Sequence, residues 1–78
     1  MPKTYTHDEL VEQMKAPGWQ HAAGADKTDP GTLEDALKAS HQRHKSGEHP
    51  GLIRQIETTI ELDMLQIEKL WRYLGLPI

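Results

Sequence analysis

Every isoleucine and most of the leucines of this 78-residue chain lie from Leu52 onward, in roughly its last third. At about 100° per residue, Leu52, Ile53, Ile56, Ile60, Met64, Ile67, Leu70, Trp71 and Leu74 fall within a sector of roughly 120°. That spacing predicts one long amphipathic helix over 50–74, opened by Pro50 and stopped by Gly75 and Pro77. Read as heptads, Ile53, Ile56, Ile60, Asp63, Ile67, Leu70 and Leu74 alternate three and four apart, the seam of a coiled coil with one charged member. An ordinary amphipathic helix of a bundle accounts for the stripe equally well. Leu62, Leu65 and Tyr73 lie off the stripe on a second flank, which predicts neighbours on two sides.

The rest of the chain supplies little to cover such a helix. A second helix is expected to start between 30 and 33 and to run to about Lys45 or Ser46, with Thr32, three residues before Asp35, as one candidate cap and Gly47 suited to the left-handed closing position. Asp29-Pro30 offers an alternative start, so the element is placed over 31–46. Its stripe of Leu33, Ala36, Leu37 and Ser40 passes into His41 and His44, so the face turns from aliphatic to imidazole along its length. Upstream, Thr6 and Glu9 have the spacing of a capping box for a short helix from His7 to about Lys15, with Leu10, Val11 and Met14 on one side. Pro17-Gly18 ends it. Residues 16–30 show no sustained period and read as a connecting loop in which only Trp19 is large enough to anchor to a hydrophobic surface.

The expected fold is therefore all-α: a short N-terminal helix, a loop, then an antiparallel pair over 31–46 and 50–74, forming a single small domain. The nine stripe residues represent on the order of 15–25 kcal/mol of burial before entropy. Leu33, Leu37, a few alanines, Leu10, Val11, Met14 and Trp19 are a poor match for that demand. A chain of this size without cysteine has no disulfide to support it, so association is the expected remedy. The reading is a helical bundle built by a homodimer or tetramer through Leu52 to Leu74, with a larger protein as the alternative partner, the chain then being a small accessory or inhibitory subunit.

Asp63 interrupts the stripe, where an unpaired carboxylate is costly to bury. Folding back about Gly47 to Pro50 sets it level with Glu34 and the start of the preceding helix, whose free amides could receive it. It is expected to act as such a cap, to fix register between chains, or to stay wet at the rim.

Other chemistries find less support. His41 and His44 share a helix face and are the weak candidates for a metal, but two ligands do not make a site. The Glu-x-x-His pattern of a di-iron bundle fails at Glu57, Glu61 and Glu68, which precede Ile60, Met64 and Trp71 by three. Lys38, His41, Arg43, His44 and Lys45 make one local basic stretch that a small DNA-binding regulator could use, yet the formal charge of −3 disfavours nucleic acid. Pro2 stands where small tautomerases carry a basic N-terminal proline, but those enzymes rest on strands and none is expected here. Without a phosphate loop or nucleophilic motif, no enzyme activity, cofactor or small-molecule substrate is inferred. With neither a secretory signal nor a membrane-length apolar run, the expected location is cytoplasmic.

Overall fold

Two of the helix-start signals hold in the computed structural model, which describes residues 4–21 and 30–77. Thr6 Oγ1 accepts from the Glu9 amide at 3.2 Å while the Thr6 amide donates to Glu9 Oε1 at 3.3 Å, and helix α1 spans His7–Gln13. Thr32 Oγ1 accepts from the Asp35 amide at 3.2 Å, and helix α2 spans Leu33–Lys45 with Gly47 just beyond it at φ 87°. Glu34 and Asp35 in its first turn and Arg43, His44 and Lys45 in its last complement the helix dipole.

The all-α expectation is overturned. The described residues form a four-stranded antiparallel sheet with three short helices, the longest of thirteen residues, an α/β architecture rather than a helical bundle. Strand β1 is Pro17–His21 and β2 is Gly31–Thr32; after α2 come β3, Ile53–Gln55, and β4, Glu61–Leu62; helix α3 is only Met64–Tyr73. The strand order is β2-β1-β3-β4. The stretch placed in a connecting loop over 16–30 thus contributes β1 to the sheet, and its 22–29 portion lies outside the described residues.

Local chemistry explains why the expected 50–74 helix is divided. Between Ile53 and Leu62 stand Ile53, Ile56, Thr58, Thr59 and Ile60, β-branched side chains whose stiff χ1 suits a pleated surface better than a helix. Buried Ile53 and Ile60 are each followed by an exposed charge, Arg54 and Glu61, and Leu62 returns to the interior. The Gln55 amide donates to the Ile60 carbonyl at 3.1 Å, closing a hairpin around 56–59. Asp63 then begins a new helix: its carboxylate accepts from the Gln66 amide at 3.0 Å, and Gln66 Oε1 accepts from the Asp63 amide at 3.2 Å. The residue that looked like a misfit in a long stripe is the N-cap of α3, and it caps its own helix rather than α2.

Long-range pairing completes the sheet. Gln20, Arg54 and Glu61 align across β1, β3 and β4, as do His21, Ile53 and Leu62 in the adjoining row. The second row is buried, while in the first Arg54 Nε meets Glu61 Oε1 at 3.3 Å on an exposed face. One side of the sheet is therefore packed and the other is polar. Between β1 and β2 the register shifts at Gly18, whose φ of 103° lets it be the extra residue of a bulge.

Helix α2 lies along β1, and α3 packs against α2 and α1. Their shared core contains Trp19, Leu33, Leu37, Ile53, Leu62, Ile67, Leu70 and Trp71, closed at the edges by Leu10, Met14, Ala36 and Ile60. Trp71 Nε1 donates to the Leu37 carbonyl at 3.0 Å and lies 3.1 Å from Ser40 Oγ, so a buried polar group is satisfied where α2 and α3 touch. The chain then turns back: the Leu76 amide donates to the Trp71 carbonyl at 2.9 Å, and the His41 Nε2 ring nitrogen hydrogen-bonds the Pro77 carbonyl. The Cα radius of gyration is 11.3 Å. A packed domain of this length has about 11.5 Å, so one copy closes its own core.

Candidate functional site

That closure redistributes the nine residues expected to face a partner. Ile53, Ile60, Ile67, Leu70 and Trp71 are buried within the chain, Leu52, Met64 and Leu74 are half-buried, and Ile56, at 48% exposure, stands alone on the β3–β4 hairpin. The apolar surplus that motivated an oligomer through this stripe is met by Trp19, Leu33, Leu37 and the sheet itself. Apart from Ile56, the exposed large apolar side chains among the described residues lie on the opposite side of α3.

There Leu65 is 71% exposed and Tyr73 56% exposed, and the exposed Lys69 and Arg72 stand between them. At about 100° per residue Leu65, Lys69, Arg72 and Tyr73 occupy one sector of roughly 100°. Its opposite is the side holding Ile67, Leu70 and Trp71, so α3 is apolar on both flanks, once for the core and once toward solvent. The signal was present in the sequence as the second flank of the stripe, with Leu65 and Tyr73 eight residues apart, but Lys69 and Arg72 were not associated with it.

Helix α1 extends the same face. His7 meets Tyr73 edge to face, with ring centroids 5.9 Å apart at 79°, and Tyr5, His7, Leu10, Gln66 and Lys69 line a shallow cleft between the helices. Beyond that cleft α1 exposes Asp8, Glu9 and Glu12. Glu9 is engaged by the capping box. The ion pairs among the described residues are Glu34 with Lys38 at 4.0 Å, Arg43 with Glu48 at 3.9 Å, and Arg54 with Glu61. None uses Asp8, Glu12, Lys69 or Arg72. An acidic helix and a basic helix edge thus lie side by side, with Leu65 and Tyr73 in the same surface.

The candidate metal residues are occupied differently. His41 is buried with its ring edge-on to Trp71, centroids 5.2 Å apart at 80°, and His44 lies tilted at 43° with its centroid 5.0 Å from the same indole. Both imidazoles pack around Trp71. No group of three or more His, Asp or Glu side chains among the described residues is placed to hold a metal ion. An open groove at the end of α2 is lined by His44, Gly47, Glu48, His49, Met64 and Glu68.

The basic stretch is also dispersed. Lys38 and Arg43 face Glu34 and Glu48, and His41 points inward, so Lys38 to Lys45 presents no continuous positive surface. Pro2 lies outside the described residues, although the sheet removes the objection to it that rested on the absence of strands. Among the described residues no helix is long and apolar enough to cross a membrane. Comparison with protein-family models, curated proteins and solved structures finds no match for this chain.

Proposed function

We propose that this protein is a non-enzymatic protein–protein interaction module that acts through the outer face of α3. The observation that carries the reading is Leu65, a large aliphatic side chain 71% exposed on a well-capped helix whose other flank is fully committed to the core. Single exposed leucines are ordinary on protein surfaces. Here Leu65 shares its face with exposed Tyr73, a residue type enriched at the centres of interfaces, and with two cations that have no ion-pair partner among the described residues. The helix is rigidly held, since Asp63 caps it and Trp71 bonds it to α2, so the face is presented with little ordering cost. No reaction is assigned to it.

A photo-activatable amino acid placed at Leu65, in the cell that makes the protein, tests this reading. The expected outcome is a discrete cross-linked product that is absent when the same probe replaces exposed Thr58 on the β3–β4 hairpin. Equal yields at the two positions, or none at Leu65, would overturn it.

A further inference from the structure

The acidic and basic parts of this face point to a specific occupant. We infer that the α1–α3 face joins two copies of this chain about a twofold axis, with Asp8 and Glu12 of each copy set against Lys69 and Arg72 of the other and the apolar pair Leu65 and Tyr73 near the centre. The inference rests on the interaction reading above and names its partner.

The argument is one of charge and symmetry. Within the described residues α1 carries Asp8, Glu9 and Glu12 and no cation, while the exposed flank of α3 carries Lys69 and Arg72. Glu68, half-buried, lies at the edge of this flank next to Arg72 and lines the groove at the end of α2. The two helices are in contact through His7 and Tyr73, so the exposed acids of one and the exposed cations of the other are carried on adjoining elements. Yet they do not neutralise each other within the chain: neither Asp8 nor Glu12 forms an ion pair with Lys69 or Arg72. A twofold rotation brings the acidic half of such a surface over the basic half of its copy, twice, and a self-complementary patch is what an isologous interface requires. A uniformly acidic partner would satisfy Lys69 and Arg72 but would set like charges against Asp8 and Glu12.

The size of the face limits its strength. Helices of ten and seven residues are about 15 and 10 Å long. The contact is then well short of the roughly 800 Å² per partner of a standard interface. A weak, salt-sensitive dimer is expected, forming in the range of about 10 µM to 1 mM.

Sedimentation equilibrium on three chains provides the test: the native protein, the variant Asp8→Lys/Glu12→Lys, whose face becomes basic apart from Glu9 in its capping box, and the variant Lys69→Glu/Arg72→Glu, whose face becomes acidic. Circular dichroism first confirms that each variant is folded. The native chain is expected to dimerise, each variant alone to associate at least tenfold more weakly, and an equimolar mixture of the two variants to recover association to within about threefold of native, because every contact in the mixed dimer is again between opposite charges. A native chain that stays monomeric at millimolar concentration, or variants that self-associate as well as the native chain, would overturn the inference. Cross-links from Leu65 to a different protein together with a monomeric native chain would reject the second copy while leaving the interaction reading intact. Absence of both cross-links and dimer would reject the two together.

Discussion

The hairpin Ile53 to Leu62 and the helix Met64–Tyr73 are adjacent parts of one apolar run with one continuous helical spacing, yet they fold into different secondary structures. In the hairpin half, Ile53, Ile56, Thr58, Thr59 and Ile60 are β-branched; in the helix only Ile67 is. The hairpin half finds a partner strand in β1, while the helix has its own cap in Asp63. Spacing alone therefore does not select the helix. The choice falls to χ1 stiffness, to a capping box and to what the rest of the chain offers as a neighbour.

The largest disruption of this contrast is expected from Trp71→Ala. It empties the core where α3 meets α2 and deletes the indole donor to the Leu37 carbonyl, so a loss of about 3–5 kcal/mol is expected. In a domain of this size that is most of the total stability, and thermal unfolding should show little or no cooperative transition at 25 °C and above. Retention of a native melting temperature would mean that α3 does not hold the fold as described.

Ile53→Ala acts on the hairpin instead. Ile53 lies between His21 and Leu62 in the buried row of the sheet, and its truncation is expected to cost about 2–5 kcal/mol in urea unfolding. A cost below about 0.5 kcal/mol, the level of a surface change, would contradict the placement of this half in the sheet.

The smallest effect should come from Asp63→Ala at the junction. Removing an N-cap costs about 1 kcal/mol, and faster amide exchange at Gln66 is expected to accompany it, since that amide loses its acceptor. If the substitution stabilised the protein, the boundary between the two halves would be in the wrong place, because a long continuous helix gains from alanine where a capped one loses.

Capping explains how much of the fold was legible. Thr6 with Glu9 located α1, and Thr32 with Asp35 located α2 to within the few residues that Asp29-Pro30 left open, because neither signal lies inside a stripe that favours another element. Asp63 with Gln66 is the same kind of signal, but it sits inside the apolar stripe, where it passes for a polar interruption. The site divides likewise. Leu65 and Tyr73 were visible as a second flank, whereas bringing the acids of α1 beside the cations of α3 depends on the two helices meeting, and the whole stretch 14–63 lies between them.

The sequence by itself determined the helix start at Thr6, narrowed the second to Asp29-Pro30 or Thr32, and fixed the absence of disulfide support and the concentration of apolar residues after Leu52. Those follow from contacts within a few residues or from composition. Only the tertiary structure decided that Trp19 and Ile53 belong to paired strands, that Ile67 and Trp71 are covered by the chain's own sheet and α2, and that α3 is left with a second, exposed flank. The physical reason is that a strand has no hydrogen-bond partner within its own segment. Its stability is a property of the neighbour it finds, and spacing along one segment carries no record of that neighbour.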